Sequence, residues 1–199
     1  FVLSMARNSA VDYNMGVAIF SLEMSSVQLV KRLIASESRL SAEKLRKGDL
    51  KEHEFQQLHS RITKLATAPI FIDDQPSSNI VHIRSVARRL KAEHDIGFII
   101  VDYLQLMGTS KQYDNMVNQV TEISRSLKGL AKEFNAPVIA LSQLSRAVES
   151  RGGKPRLSDL RDSGSIEQDA DIVMFIHRED KYGTEGTERK NIVEILIEK

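Results

Sequence analysis

An apolar run that leads into a carboxylate is the clearest candidate for chemistry in this sequence. Residues 98–101 read Phe-Ile-Ile-Val and are followed directly by Asp102. An unbroken apolar run favours a strand that is buried on both faces of a parallel sheet. Asp102 would then lie at the carboxyl edge of the sheet, where α/β proteins bind ligands. There it could hold Mg²⁺ beside the phosphates of a nucleotide; the alternative is a turn residue that only ends a strand.

Two more apolar runs lead into polar side chains of other types. Residues 17–20 precede Glu23, and residues 138–141 precede Gln143. A glutamate at a neighbouring strand end could orient or deprotonate the water that attacks a γ-phosphate; the alternative is a carboxylate that stabilises a helix N-terminus. The amide of Gln143 could donate to a terminal phosphate, or could simply end its strand. Three strand ends with three different polar side chains favour a shared site.

The segment from residue 154 to residue 171 carries basic side chains among small residues. Lys154, Arg156 and Arg161 lie there together with Gly164 and several hydroxyl side chains. Such residues, with exposed backbone N–H groups, suit contacts to the phosphates of a nucleic-acid strand. The segment contains no aromatic residue, which favours contacts along the backbone over base stacking. The alternative is a solvated loop.

Two other groups of polar residues are interpreted as having no functional role. His53 and His59 are six positions apart, so they would lie on different faces of a helix, unlike a zinc-binding pair. We therefore predict no transition-metal site. A basic cluster is interpreted as the solvated face of a helix; its members are Arg84, Arg88, Arg89 and Lys91.

The composition is that of an ordinary globular protein the size of one α/β domain. Of 199 residues, 41% are hydrophobic and 28% are charged, and the formal net charge is +1. A nucleic-acid site must therefore be local, because there is no global basic excess. The sequence has no cysteine, which excludes disulfides and thiol catalysis and is compatible with a reducing cytoplasm. No apolar run approaches the roughly 20 residues of a membrane span, and we expect no membrane partner.

The spacing of apolar residues predicts alternating helices and strands along the whole chain. Helices are expected near 3–11, 25–33, 49–66, 83–90 and 120–134, the second with Ser25 as its N-cap. Strands are expected at 17–20, 70–72, 98–101, 138–141, 172–176 and 192–197, with a hairpin loop at 184–190. The strand at 172–176 is expected to be buried. This order predicts an α/β fold with a twisted, mostly parallel sheet and helices on both faces.

Four segments carry a close resemblance to a known family. They are residues 17–25 (VAIFSLEMS), 100–106 (IVDYLQL), 137–146 (PVIALSQLSR) and 157–171 (LSDLRDSGSIEQDAD). Together they resemble the C-terminal RecA-like ATPase domain of the replicative DNA helicase family (DnaB type). The last two segments are long and idiosyncratic, and the resemblance extends over nearly the whole chain. It implies a RecA-like P-loop NTPase core for residues 1–199.

The resemblance also implies roles at the nucleotide. Glu23 resembles the family's catalytic glutamate, which activates water for the hydrolysis of ATP. Asp102 resembles the Walker B aspartate that binds Mg²⁺. Gln143 resembles the sensor of the γ-phosphate, which couples the nucleotide to the DNA loops. Arg32 stands where the family has an arginine near the adenine.

Further roles are implied at the DNA and between subunits. Arg161, Asp162 and Gly164 match a loop that contacts the phosphates of single-stranded DNA inside a hexamer. Lys199 matches a lysine that reaches the nucleotide of the neighbouring subunit. The family's arginine finger would lie just past this lysine.

The sequence departs from the family pattern at both ends. The P-loop, G-x-x-x-x-G-K-[ST], is absent, and residues 1–11 resemble the remainder of the helix that follows it. The N-terminal primase-interacting domain and its linker are absent too. We therefore expect residues 1–199 to be a helicase domain truncated at both ends. Because the P-loop supplies the N–H groups and the lysine that bind phosphates, we expect this fragment alone to be inactive.

For the intact protein, the resemblance implies a hexameric helicase. Hydrolysis of ATP between subunits would move the DNA loops along one strand and separate the duplex at the replication fork. The expected cofactors are ATP and Mg²⁺; the expected partners are single-stranded DNA, primase and a helicase loader, in the cytoplasm. The main alternative is a RecA-like recombination or repair ATPase, which would form filaments rather than closed rings. A nucleotide-free binding module is a further alternative.

Overall fold

The computed structural model describes residues 1–109, 115–160, 164–179 and 191–199. The chain forms two compact units. The first unit comprises residues 1–108 and 129–141, and the second comprises residues 109–128 and 142–199.

A parallel sheet of four strands is the centre of the first unit. The strands are β1 (Gly16–Ser21), β2 (Ile70–Asp73), β3 (Ile96–Asp102) and β4 (Val138–Ala140). Their order across the sheet is β2-β1-β3-β4, and every neighbouring pair is parallel. All four carboxyl ends therefore lie at one edge of the sheet. The predicted parallel sheet is confirmed.

Helices connect these strands. They are α1 (Val2–Arg7), which continues as a π-helical turn (Asn8–Asp12), then α2 (Ser26–Ser38), α3 (Ala42–Lys47), α4 (Glu52–Ala66), α5 (Ile80–His94) and α6 (Met116–Phe134). The last of them contributes residues to both units. The predicted N-cap of α2 is confirmed, since the Ser25 hydroxyl accepts from the Gln28 N–H and the Gln28 side chain accepts from the Ser25 N–H. Helix α3 was not predicted.

Both faces of the two central strands are buried, as the continuous apolar runs predicted. Alternate residues of a strand point to opposite faces of a sheet. One set packs with α1 and α2 in a cluster of buried residues: Ala6, Ala10, Val17, Ile19, Leu29, Phe98 and Ile100. Helix α5 contacts β1 and β3 and covers the opposite face with its buried residues, Ile83, Ala87 and Leu90. Helices therefore pack against both faces of the sheet.

Some of the basic residues of α5 contact other parts of the first unit. Arg88 donates from Nε to Glu133 of α6 at 2.6 Å, and Arg84 Nε lies 3.3 Å from the other oxygen of the same carboxylate. The Lys91 ammonium donates to the backbone carbonyl of Ile96 at 3.0 Å. The interpretation of this cluster as a solvated face holds for Arg88 and Arg89, which are exposed, but not fully for Arg84 and Lys91, which are half-buried. A carboxylate on a neighbouring helix, distant in sequence, gives two of its members a structural role.

The second unit contains a two-stranded antiparallel sheet, β5 (Met174–His177) and β6 (Glu194–Ile197). It also contains α7 (Ala147–Arg151), a 3₁₀ turn at Leu157–Asp159 and α8 (Gly164–Asp169). A strand forms in the region predicted at 172–176, but the expectation that it is buried was wrong, because alternate residues of β5 are exposed and Ile176 is 54% exposed. The predicted hairpin loop at 184–190 lies outside the described residues. Among the helices of the described ranges, none is long and apolar enough to cross a membrane.

Candidate functional site

The candidate site lies at the carboxyl edge of the first unit's sheet, where β1 and β3 end side by side. Ser21 is opposite Asp102 in the register of these two strands. Just beyond this pair, the Leu22 N–H donates to the Asp102 backbone carbonyl at 2.7 Å. Glu23 follows in the turn that leaves β1. Its proximity to Asp102 therefore results from the parallel pairing of two buried strands.

The charges at this edge influence one another. The pKa of Asp102 is raised above its usual value, first by burial, and second by the negative charge of Glu23. The positive charge of Arg32 opposes this rise as a smaller effect. Asp102 is half-buried, whereas Glu23 and Arg32 are exposed. The structure thus brings together three of the residues that the sequence indicated, and the Asp102 charge is the one that burial disfavours.

Arg32 is positioned by α2. The buried residues Leu29 and Leu33 of this helix face the core, and Arg32 is on its exposed side. An exposed guanidinium within electrostatic range of Asp102 is available to an anionic or aromatic ligand. The predicted contact of Arg32 with an adenine stays a prediction.

The turn that carries Glu23, residues 21–26, is held by side chains that sequence reasoning missed. The Ser21 hydroxyl donates to the Met24 carbonyl at 2.7 Å and accepts from the Met24 N–H at 3.2 Å. The Asp74 carboxylate, just after β2, accepts from the Ser26 N–H at 2.7 Å. A serine at a strand end and a pair of aspartates at the end of β2 were visible in the sequence, but their partners were not.

Gln143, Gly164 and Lys199 belong to the second unit. Gln143 is exposed and follows β4 in the chain. Gly164 is exposed and begins α8. Lys199 donates from Nζ to the carbonyls of Glu167 at 2.7 Å and Gln168 at 3.4 Å. Within this chain Lys199 therefore stabilises the C-terminal end of α8, and its predicted reach to a neighbouring subunit stays a prediction.

The segment that precedes the predicted DNA-binding loop is anchored by a buried aspartate. Both oxygens of Asp159 accept from the Arg151 guanidinium, at 2.8 and 2.7 Å, and one of them also accepts from the Arg156 N–H at 2.8 Å. These contacts lower the pKa of Asp159, with the hydrogen bond from Arg151 as the largest cause. The Asp159 carbonyl accepts from the Ser145 N–H at 2.9 Å. The sequence indicated either phosphate contacts or a solvated loop for residues 154–171 and did not reveal this pair.

The predicted DNA-binding residues Arg161 and Asp162 lie outside the described residues. Of the other basic side chains in this segment, Lys154 donates to Glu194 of β6 at 3.0 Å, which leaves it less available to an external phosphate. Arg156 is exposed. The role of this segment in nucleic-acid binding stays a prediction.

The donor set at the sheet edge is suited to Mg²⁺ rather than to a transition metal. Carboxylate oxygens are the ligands that this hard cation prefers, and Mg²⁺ usually combines one or two carboxylates with water and substrate phosphates. Asp102 is such a carboxylate, with Glu23 beside it. No cluster of three His, Cys, Asp or Glu side chains that could hold a metal occurs in the part of the chain that the structure describes. The residues fit a metal that arrives with a phosphate ligand.

Comparison with known proteins gives the class of the chain. The family model described as "DnaB-like helicase C terminal domain" matches residues 1–199. The chain therefore belongs to this family. A replicative DNA helicase DnaB of Geobacillus stearothermophilus is 51% identical over 201 residues, and a replicative DNA helicase DnaC of Bacillus subtilis (strain 168) is 50% identical. The alignments include all of this chain but only 44% of each relative, so the chain spans less than half their length.

Solved structures agree with the fold. One of them, described as an ATPase domain, superposes with a TM-score of 0.94 at 39% identity, over 100% of this chain and 71% of that one. A DnaB-like replicative helicase, described with its interactions with primase, gives the same TM-score and identity, over 100% of this chain and 48% of that one. The predicted RecA-like α/β ATPase core, with its parallel sheet between helices, is confirmed.

Proposed function

We propose that the full-length protein is a replicative DNA helicase that hydrolyses ATP to move along single-stranded DNA and to unwind the duplex. The observation that carries the proposal is the pair of carboxylates, Glu23 and Asp102, at the carboxyl edge of the sheet. Membership of the DnaB-like helicase family supports it. A half-buried acid beside a second acid, at the edge where α/β folds bind ligands, is typical of a catalytic site.

Glu23 would act as the general base. Its carboxylate would accept a proton from water as the water oxygen forms a bond to the γ-phosphorus and the bond to the leaving ADP oxygen breaks. Exposure of Glu23 supports this role, because water and substrate can reach it. The turn of residues 21–26 keeps its backbone beside β3 through the Leu22 N–H bond to Asp102.

Asp102 would hold Mg²⁺, which neutralises phosphate charge when it is bound. The raised pKa of Asp102 supports a site for a cation, because a positive charge there offsets both the burial of the carboxylate and the repulsion by Glu23. Arg32 would contact the adenine side of the nucleotide. Gln143 would sense the γ-phosphate, and Lys199 would reach the nucleotide of a neighbouring subunit.

The second unit would carry the DNA contact. Arg161, with Asp162 and Gly164, would contact the phosphates of one DNA strand. The anchored Asp159 supports this proposal because it holds the backbone two residues before Arg161 in the chain. Phosphate contacts position a protein on a strand without reading its sequence, as translocation requires.

The assembly would be a homohexamer with nucleotides between its subunits. Its further partners would be a primase and a helicase loader, as in a primosome. The similar DnaB-like helicase that is described with its interactions with primase supports the first of these partners. The protein would act in the cytoplasm, where bacteria replicate their DNA.

The test uses the full-length protein with ATP, Mg²⁺ and a forked DNA substrate. We expect closed rings in electron micrographs and ATP-dependent separation of the strands. A recombination ATPase would instead form filaments on single-stranded DNA and exchange strands between homologous duplexes. Filaments with strand exchange and no unwinding would contradict the proposal.

A further inference from the structure

The turn that carries Glu23 is tied to the strand on each side of β1. On the β3 side, the Leu22 N–H donates to the Asp102 carbonyl. On the β2 side, the Ser26 N–H donates to the Asp74 carboxylate across 48 positions of sequence. Since β1 lies between β2 and β3 in the sheet, the two bonds hold opposite ends of the turn.

A third contact, made by the Ser21 side chain, lies within the turn itself. Ser21, the last residue of β1, is 1% exposed. Its hydroxyl both donates to the Met24 carbonyl and accepts from the Met24 N–H. Leu22 and Glu23 are enclosed between the two bonded residues, so the hydroxyl fixes the backbone on both sides of the glutamate.

The bond to Asp74 is more than a helix cap. The N-terminus of α2 is already capped by Ser25 and Gln28, so the Asp74 bond is an additional tie to β2. Hydrogen bonds from Ser26 are the main causes of the lowered pKa of Asp74, so this carboxylate stays ionised at neutral pH. A charged acceptor makes a stronger hydrogen bond than a neutral one.

The neighbouring aspartate has a different role. Asp73 is the last residue of β2, and its carboxylate lies 3.0 Å from His82 Nε2 and accepts from the Gln75 N–H at 3.1 Å. Both partners belong to the loop and helix that follow β2. The two adjacent aspartates therefore have different hydrogen-bond partners, and of the two only Asp74 bonds to the turn that carries Glu23.

We propose that Asp74 and Ser21 are positioning residues for Glu23, which hold its backbone where the carboxylate can accept a proton from the attacking water. This inference rests on the proposed function. A general base has to lie within hydrogen-bond reach of the proton that it accepts. Displacement by about 1 Å can cost up to about 10²-fold in rate, so loss of one tie is expected to reduce turnover without removing the base.

The test measures steady-state ATP hydrolysis by the full-length protein. Asp74→Ala is expected to lower kcat about tenfold and to change the KM for ATP by less than about twofold, because substrate binding does not use this tie. Asp74→Asn keeps an acceptor oxygen and is expected to recover most of the rate. Ser21→Ala, which removes only a hydroxyl, is expected to lower kcat in the same way. Asp73→Asn is the matched control and should leave kcat unchanged.

A double variant separates positioning from general damage to the fold. In single-turnover assays, Asp74→Ala is expected to cost nothing further when Glu23→Gln is already present, because no base remains to be positioned. An equal loss in both backgrounds would overturn the inference, as would a rise in KM at constant kcat. If Glu23→Gln hydrolyses ATP at the normal rate, the proposed function and the inference both fail. If Glu23→Gln is inactive and Asp74→Ala is fully active, only the inference fails.

Discussion

Asp102 in the first unit and Asp159 in the second are both withdrawn from solvent, but the charges around them have opposite signs. Asp159 is 5% exposed and is met by the Arg151 guanidinium, which lowers its pKa. Asp102 is half-buried beside Glu23, and burial and this like charge raise its pKa, with Arg32 offsetting only part of the effect.

The charges around a desolvated carboxylate distinguish a structural acid from a functional one. A carboxylate that the fold itself neutralises stabilises the segments that it joins. Ionisation of a carboxylate that is desolvated beside another acid is unfavourable, and a bound cation can offset this free-energy cost. Such residues are concentrated at functional sites. On this criterion, Asp159 is an anchor, and Asp102 fits the proposed role of a ligand for a cation.

The largest effect is expected at the partner of Asp102. In the full-length protein, Glu23→Gln should lower ATP hydrolysis by about 10²–10⁴-fold, because the amide keeps the shape but cannot accept the proton. Binding of a fluorescent ATP analogue with Mg²⁺ should stay close to normal. Glu43→Gln, at an exposed glutamate of α3, is the matched control. Near-normal turnover in Glu23→Gln would mean that Glu23 is not the general base and only stabilises the N-terminus of the helix that follows.

The next effect concerns the DNA contact proposed beyond Asp159. Arg161→Ala should weaken the binding of single-stranded DNA about equally for all sequences and should lower the salt dependence by about one counterion. Hydrolysis stimulated by DNA should fall while basal hydrolysis survives. The measurement is fluorescence anisotropy over a series of salt concentrations. Lys154→Ala, at a lysine already bonded to Glu194, should have a smaller effect; an unchanged salt slope in Arg161→Ala would contradict the assignment.

The two regions also differ in how far the sequence could predict them. The apolar runs of β1 and β3 predict strands buried on both faces, and parallel strands bring Glu23 and Asp102 to one edge. Local pattern is sufficient there because a continuous apolar run in a strand reflects burial of both of its faces. The bond between Asp74 and Ser26 could not be predicted, since it joins residues 48 positions apart through the strand order of the sheet.

In the second unit the sequence was less informative. Arg151 and Asp159 are separated by eight positions, with an irregular segment at 152–156 between them, a spacing that has no regular period to reveal a contact. Residues 172–176 form a continuous apolar run, but the structure pairs β5 with β6 in a sheet with exposed Met174 and Ile176. Continuous apolar character therefore predicted a buried strand where only alternate residues are buried.

A third prediction tests the anchor. Arg151→Ala should lower the melting temperature of the full-length protein, because it leaves the Asp159 carboxylate buried without its cation. Arg151→Lys should recover only part of the loss, since an ammonium cannot make the paired contacts of a guanidinium. The lowered pKa of Asp159 means that the pair stabilises the fold above the ordinary pKa and that this contribution is lost as pH falls through the lower folded value. The difference in melting temperature between Arg151→Ala and the unmodified protein should therefore become smaller at acidic pH. A difference that does not change with pH would contradict the ion-pair explanation.

The smallest effect is expected at Asp102 itself, and it has the opposite sign. Because its folded pKa is raised, the folded state binds the proton of Asp102 more tightly than the unfolded state does. Ionisation of Asp102 therefore costs stability as pH rises through the folded pKa. Asp102→Asn removes this charge and should raise the melting temperature slightly at neutral pH, by less than Arg151→Ala lowers it.

The increase in melting temperature caused by Asp102→Asn should disappear as pH falls below the ordinary carboxyl pKa of 3.8. Asp102 is then neutral in both the folded and the unfolded state and resembles the amide. The melts are measured with EDTA and without nucleotide, so that no cation compensates the charge. Asp74→Asn is the matched control, because its lowered pKa predicts a loss of stability at neutral pH. If Asp102→Asn also lowers the neutral melting temperature, then Asp102 is an anchor like Asp159, and the contrast between the two regions fails.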